Sequence, residues 1–215
     1  GTANMTVELW TKMALTQPLV YPTFLGCRSS AGNGFLVFAN SGNLAIQIAG
    51  ANYFSTTPIQ DDTWHHIALV RTGNSFAAYV DGVQALSISS SSSITGSNMT
   101  LGWDVVNSTQ TYLKGYLDEV RVWNVARSTA ELAANRGSTI AGNSTGLVAY
   151  YKLDASSGTT AANSATATTG IDGTLANGPV WAPSAGAWGA NTNISPSITL
   201  ADVDDTSFGS GATVA

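Results

Sequence analysis

Hydrolysis, metal binding and sugar recognition each need particular side chains at set distances, and this chain offers few of them. Its only glutamates are Glu8, Glu119 and Glu131. A glycosidase needs two carboxylates roughly 5–9 Å apart, and no spacing here marks such a pair. No phosphate-cradling G-x-x-x-x-G-K loop is present. His65 and His66 are adjacent, and neighbours on a strand face opposite sides, so they cannot chelate one ion together. Zinc would need further convergent ligands, and none is apparent. His66 is therefore expected to be a hydrogen-bonded structural residue on the Trp64 face. Cys27 is the single cysteine, so no disulfide scaffold is available, and it is expected as a small buried hydrophobe.

One carboxylate stands apart. Alternation along Tyr116 to Trp123 puts Leu117, Glu119, Arg121 and Trp123 on one face and Asp118, Val120 and Val122 on the other. Asp118 then points into an apolar layer, where an unpaired carboxylate is costly. A calcium ion would compensate it, with loop carbonyls and water completing roughly six to eight oxygens. The other reading is a carboxylate that accepts backbone N–H bonds at a strand end. Asp154, Asn163 and Asp172 are further oxygen donors in or beside loops, where such residues also serve plain turn chemistry. Sugar sites stack an aromatic ring on the apolar face of a sugar and add hydrogen bonds from Asn, Asp or Arg. The loop candidates are Tyr53, Trp103 with Asp104 and Asn107, and Tyr112. Trp10, Trp64 and Trp123 lie within strands and are expected to fill the core.

Strand patterns must position these residues. Met5 to Trp10 alternates as a half-buried strand should, and Phe35 to Phe38, Leu44 to Ile48, Trp64 to Arg71 and Phe76 to Val80 follow. Asp81-Gly82 signals a two-residue hairpin. The serine run Ser89 to Ser93 reads as a long hairpin loop between strands of one sheet. One short helix is expected, capped by Ser128 or Thr129, with Glu131 in its first turn and Gly137 ending it. Leu147 to Leu153, Gly173 to Leu175 and Val180-Trp181 are later strands. Many short strands with one helix argue for an all-β antiparallel sandwich or jelly roll.

Charge excludes some partners. Eight Lys and Arg stand against thirteen Asp and Glu, for a net charge of −5. No basic stripe exists to neutralise phosphates, so nucleic acid is not an expected partner. No apolar run approaches the roughly 20 residues of a membrane span, so direct membrane insertion is not expected. Gly1-Thr2-Ala3-Asn4 leads almost directly into a strand, and the chain is expected to be excised from a longer one. Sparse charge with abundant Ser and Thr is common among secreted bacterial surface proteins.

Four phrases carry a resemblance. Thr6-Val7-Glu8-Leu9-Trp10, Trp64-His65-His66-Ile67-Ala68, Tyr79-Val80-Asp81-Gly82 and Gly115-Tyr116-Leu117-Asp118-Glu119-Val120-Arg121-Val122-Trp123-Asn124 follow in order. They resemble the T-x-E-x-W, W-H-H-x-A, Y-V-D-G and G-x-L-D-E-V-R-V-W-N strands of laminin-G-like and pentraxin-like domains, over about residues 5 to 135. Leu147 to Asp154 with Asp172-Gly173-Thr174-Leu175 looks like a further element of the family, which in many relatives lies first. Here it is expected to complete the same sandwich, since such a permutation is tolerated where chain ends lie close. The resemblance implies a concanavalin A-like, laminin-G-like jelly roll. In related folds the aspartate matching Asp118 often holds a structural calcium; Asp154 and Asp172 are the further candidate metal ligands, although the Ala- and Thr-rich stretch from Asn163 to Asp172 departs from the Asn/Asp/Gly-rich one of relatives. The E-x-D-x-x-E strand of laminarinase-like relatives is absent, which implies a non-enzymatic module.

Beyond a linker, expected at 189–197, the acidic stretch from Ile198 resembles the opening of cadherin-like or immunoglobulin-like repeats in large bacterial adhesins. Asp202, Asp204 and Asp205 resemble their inter-domain calcium ligands. The expected division is thus a sandwich at 1–188, the linker, and the start of a following repeat at 198–215. The expected function is an extracellular binding module of a bacterial cell-surface adhesin. Its partners would be a surface glycan or protein ligand and the adhesin's neighbouring domains. A structural spacer and, further off, a polysaccharide hydrolase are the alternatives.

Overall fold

The computed structural model describes residues 3–95, 98–107, 111–169 and 171–182, and beyond these the backbone of the strands Asn191–Ile194, Ile198–Asp202 and Ala212–Thr213. In chain order the strands are β1 Met5–Met13, β2 Thr23–Cys27, β3 Phe35–Asn40, β4 Asn43–Ile48, β5 Ala51–Pro58, β6 Trp64–Thr72, β7 Ser75–Val80, β8 Val83–Ser89, β9 Asn98–Leu101 and β10 Gly115–Trp123. The helix α1 Thr129–Asn135 follows, and then β11 Leu147–Tyr151, β12 Thr160–Ala161, β13 Gly173–Leu175 and β14 Val180–Ala182. The last three strands are β15, β16 and β17 in the order given above.

Two antiparallel sheets form the expected jelly roll. The first runs β14-β15-β10-β1-β6-β7-β8, with β11 also paired to β10; the second runs β12-β13-β16-β9-β2-β3-β4-β5, with β17 on β16. Between them lies one apolar core, in which Met5, Val7 and Leu9 of the first sheet meet Phe35, Val37 and Leu101 of the second. Cys27 is part of it, at 1% exposure. The Asp81-Gly82 turn has the expected positive φ at both residues, +53° and +84°, which matches the twist of the hairpin it closes.

The outer face of the first sheet is buried too, and here the structure departs from the expected half-buried strand. Every residue from Met5 to Leu9 is buried. The reason is α1, which lies over this face with Leu132 packed on Ala68 and Val70. Ser128 caps the helix as expected: its hydroxyl accepts from Glu131 N–H, and the Glu131 carboxylate accepts from Ser128 N–H at 2.7 Å. Trp10 and Trp64 are half-buried on this face instead of filling the inter-sheet core, while Trp123 is wholly buried in a separate cluster with Leu147 and Tyr150. Trp10 donates through Nε1 to Arg136 O at 2.7 Å.

Polar groups fill the space under the helix. Glu8 Oε2 accepts from His66 Nε2 at 3.0 Å and Oε1 from Trp123 Nε1 at 2.9 Å. Arg121 pairs with Glu119, and its guanidinium donates to Asn135 O at 2.9 Å and Ser138 O at 2.6 Å. Tyr150 Oη donates to Glu119 Oε2 at 2.6 Å. Burial by itself would raise the Glu8 pKa. The His66 hydrogen bond, the His66 and Arg121 charges and the indole N–H outweigh burial and hold the carboxyl below its ordinary range.

Two further expectations are corrected. Ser89 to Ser93 does not join strands of one sheet; it carries the chain from β8 in the first sheet to β9 in the second. Simple alternation also fails in β10, where a bulge opposite Leu9 places Glu119 at φ +51°. Leu117 therefore joins Val120 and Val122 in the core, and Asp118 stands opposite Trp10. Past residue 182, β15 pairs with β10 and β14, and β16 pairs with β9 and β13. The division into sandwich, linker and following repeat stays a proposal; Asp204 and Asp205 lie outside the described residues.

Glu8→Ala should destabilise the protein by about 3–5 kcal/mol at pH 7, because removing one partner strands the others without water. A lowered carboxyl pKa gives stability that is present above the unfolded value of about 4.3 and lost as pH falls through the folded one. Urea unfolding curves of wild type and variant should therefore converge on acidification.

Candidate functional site

The outer face of the second sheet has no helix over it among the described residues. Its side chains follow from the register. Gly26 of β2 pairs with Leu36 and with Thr100, Leu36 with Gln47, and Gln47 with Asn52, so one row crosses β9, β2, β3, β4 and β5. The next row sets Phe38 beside Ala45 and Ala45 beside Phe54. Gly26 has no room for a side chain: a Cβ there would lie 2.8 Å from Leu36 Cδ2 and 3.1 Å from Thr100 Oγ1. Leu36, Phe38 and Ala45 pack into a small apolar floor. Tyr21 meets Phe38 edge to face at 6.2 Å and is itself exposed, as is Phe54.

A charged pair closes one end of this face. Arg28 Nε donates to Asp104 Oδ1 at 2.8 Å, and its Nη2 donates to Oδ2. The pair is bidentate and nearly buried, at 5% and 0% exposure. Asp104 also accepts from Val106 N–H and Asn107 N–H, both at 3.2 Å, and so shapes the loop after β9. Arg28 Nη1 donates to Gln47 Oε1, and Gln47 Nε2 donates to Asn52 Oδ1 at 2.7 Å. Together with Tyr21 and Asn107 these groups line a depression of about 120 Å³. It has the make-up of a small polar-ligand site: an apolar floor, the exposed Tyr21 ring at the side, and a row of polar groups.

The residues singled out in the sequence divide between this groove and other places. Asp104 and Asn107 line it. Trp103 and Tyr112 stack on each other at 6.1 Å with planes 7° apart, half-buried beside the same loop. Tyr53 pairs with Ile46 and packs on the inter-sheet core, so its neighbours Asn52 and Phe54 are the β5 residues that face outward. Arg28, Gln47, Asn52, Phe54 and Tyr21 were not singled out. A period-two reading of β5 would have separated Asn52 and Phe54 from Tyr53; nothing local marks Arg28 as the partner of a residue 76 positions away.

The expected metal ligands are likewise separated. Asp118 is buried, and its Oδ1 accepts from Glu119 N–H at 3.0 Å. Burial, then the charges of Glu119 and Asp154, push its pKa up to about 8, against the opposing pull of Glu119 N–H and Arg121. Burial and Glu119 also raise Asp154, which is exposed. Asp172 stands elsewhere, accepting from Asn163 N–H at 2.8 Å, while Asn163 Oδ1 accepts from Tyr150 N–H and Ala165 N–H. The bond from Tyr150 pins the loop after β12 onto β11, and the bond from Ala165 closes a turn within the loop. Among the described residues no three acidic, histidine or cysteine side chains converge as a metal site. Asp118 feels the charges of Glu119 and Asp154, while the Arg121 guanidinium pairs with Glu119. His65 and His66 do face apart: His66 meets Glu8, while His65 Nδ1 lies 2.7 Å from Asp81 Oδ2 and Nε2 3.1 Å from Asp61 Oδ1.

With the fold and groove in place, the chain can be set beside known proteins. The sequence profile of the concanavalin A-like lectin/glucanases superfamily matches residues 1–133. The chain belongs to that superfamily. Comparison with curated proteins gave no match. Among solved structures it resembles a candidate carbohydrate binding protein from Bacteroides ovatus ATCC 8483, at 20% identity and TM-score 0.61, over 94% of this chain and 55% of that one. The chain thus spans about half the length of that relative. It also resembles the CBM40 of the Ruminococcus gnavus IT-sialidase bound to α2,3-sialyllactose, at 17% identity and TM-score 0.52, over 62% and 83% of the two chains. The heptameric SAP-like pentraxin of Limulus polyphemus is similar at 18% identity and TM-score 0.50, over 61% and 69%. These likenesses establish the fold.

Asp118→Asn tests the raised carboxyl directly. The folded state holds this proton more tightly than the unfolded chain, whose value is about 3.9. Stability is therefore lost as pH rises from there to about 8. In the presence of a chelator, the variant should melt a few degrees above wild type at pH 7 and level with it at pH 4.

Proposed function

We propose that this chain is a non-catalytic carbohydrate-binding module whose sugar site is the groove on the outer face of the second sheet. The observation that carries the reading is the groove itself. Its polar row of Gln47 and Asn52 lies beside the exposed rings of Tyr21 and Phe54, which suits a ligand with one apolar face and many hydroxyls. The superfamily and the carbohydrate-binding neighbours support it. A binding role without hydrolysis is supported by the glutamates: Glu8 and Glu119 are committed under α1, and Glu131 caps that helix. Among the described residues, Asp104 is the only carboxylate lining the depression. Among the described residues, no helix is long and apolar enough to cross a membrane. Display outside a bacterial cell, as part of a surface adhesin with neighbouring domains, extends the same reading.

A glycan array probed with the labelled chain tests the site. Binding to a subset of glycans is expected. Phe54→Ala should weaken it roughly tenfold, equal to about 1.4 kcal/mol of lost ring contact, with an unchanged melting temperature. An array with no signal would sink the reading and leave a spacer. Signal that survives both Phe54→Ala and Tyr21→Ala would move the site elsewhere.

Calcium is a second, separable part of the proposal. Asp118 with Asp154 would hold the ion, and backbone carbonyls and water would supply the remaining oxygens. A bound cation would take the place of the proton that Asp118 otherwise retains. Added calcium should then raise the melting temperature of wild type by linkage and leave Asp118→Ala unmoved. An identical melting temperature in calcium and in chelator removes the ion.

A further inference from the structure

The hydrogen-bond direction along the groove determines which sugars it can accept; this inference rests on the carbohydrate reading above. Arg28 has N–H donors and no acceptor, so Gln47 must turn its Oε1 toward the guanidinium. That aims Gln47 Nε2 at Asn52, whose Oδ1 accepts it at 2.7 Å. Asn52 lies exposed on the last strand of the sheet, with its Nδ2 hydrogens left for solvent or ligand. The other end of the chain is fixed by Asp104, which holds Arg28 through Nε and Nη2. Donation therefore runs outward from Arg28, on one side to Asp104 and on the other through Gln47 to Asn52, where the row ends in a donor.

The charge balance is equally definite. Among the described residues that line the depression, Arg28 and Asp104 are the only charged side chains, and they cancel. The guanidinium is 5% exposed, so little of it is offered to a ligand. An anionic sugar would meet no unpaired cation here and would lose its hydration without compensation. A neutral sugar loses nothing comparable, and its hydroxyl or carbonyl oxygens can accept from the Asn52 amide.

We propose that the groove selects uncharged glycans that present oxygen acceptors to Asn52, and rejects those carrying sialic or uronic acids. Arg28 sets this polarity, and Asp104, which holds the guanidinium, and Gln47, which relays it, are the positioning residues. Gln47→Glu is the sharpest variant. A carboxylate keeps the contact with Arg28 but can only accept, so Asn52 must reverse, donate inward and present its oxygen to the ligand.

The test uses the whole chain and matched probes: neutral lactose and N-acetyllactosamine glycans, their α2,3- and α2,6-sialylated counterparts, and neutral and uronate plant oligosaccharides. Array hits are followed by calorimetry. Neutral members should bind at least roughly tenfold tighter than their acidic partners, and Gln47→Glu should weaken the best neutral ligand by a similar factor. Asp104→Asn should shift the neutral-to-acidic ratio toward acidic glycans, a change that loss of fold alone would not produce. If Asp104→Asn does not fold, Gln47→Glu decides. Tighter binding of acidic glycans, or Gln47→Glu with wild-type affinity, overturns this inference while the carbohydrate reading stands. No binding to any probe overturns both.

Discussion

A carboxylate sealed from water must be met by donors from every side, and Glu8 imposes that demand on the first sheet. It sits in the middle of β1 at 1% exposure. His66 comes to it from β6 and Trp123 from the end of β10. Arg121 stands 3.9 Å away and reaches on to the carbonyls of Asn135 and Ser138 at the end of the helix. The strand order β10-β1-β6 is thus written twice, once in backbone ladders and once in side chains above them. A register slip of one residue would turn Glu8 into the apolar core and Leu9 out under the helix. Hydrophobic burial supplies most of the stabilisation here, as in any sandwich, but the buried anion specifies which arrangement of strands is allowed.

This has a consequence for the opposite sheet. The helix and the charge cluster occupy the outer face of the first sheet, and the core occupies both inner faces. The remaining broad surface is the outer face of β2 to β5. There the same chemical device recurs in milder form. Arg28 and Asp104 form a nearly buried pair, but it opens onto Gln47 and Asn52 and not onto further fixed groups. One pair locks a fold, and the other orients a row of amides that face solvent. The difference lies in what covers them.

Much of the architecture was legible because it depends on local rules. The Asp81-Gly82 hairpin follows from residues that tolerate positive φ, and α1 follows from a Ser128–Glu131 capping box. The opposite faces of His65 and His66 follow from strand geometry alone. The failures have one local cause and several long-range ones. Alternation in β10 broke at Glu119, where a bulge with positive φ shifted Asp118 off the Val120 face; a regular period cannot foresee an inserted residue. Full burial of β1 was illegible because α1, more than a hundred residues later, supplies the cover. Tyr53 drew attention for its ring, yet its register partner Ile46 turns it to the core. The groove depends on pairing between residues 28 and 104 that no window of sequence contains.

Asn52 and Phe54 stand on β5, the terminal strand of the second sheet. A trough that ends at such a strand has no wall on that side. On the proposed sugar reading, a polymer lying along the amide row could run past β5 into solvent, with its other end resting over the Arg28–Asp104 pair. A site of this shape would read the terminus that lies over that pair and be indifferent to how much polymer trails past β5. Length of the ligand would then matter little beyond its first few units, and a long surface polysaccharide would be held by its tip, like a rope cleated at one end.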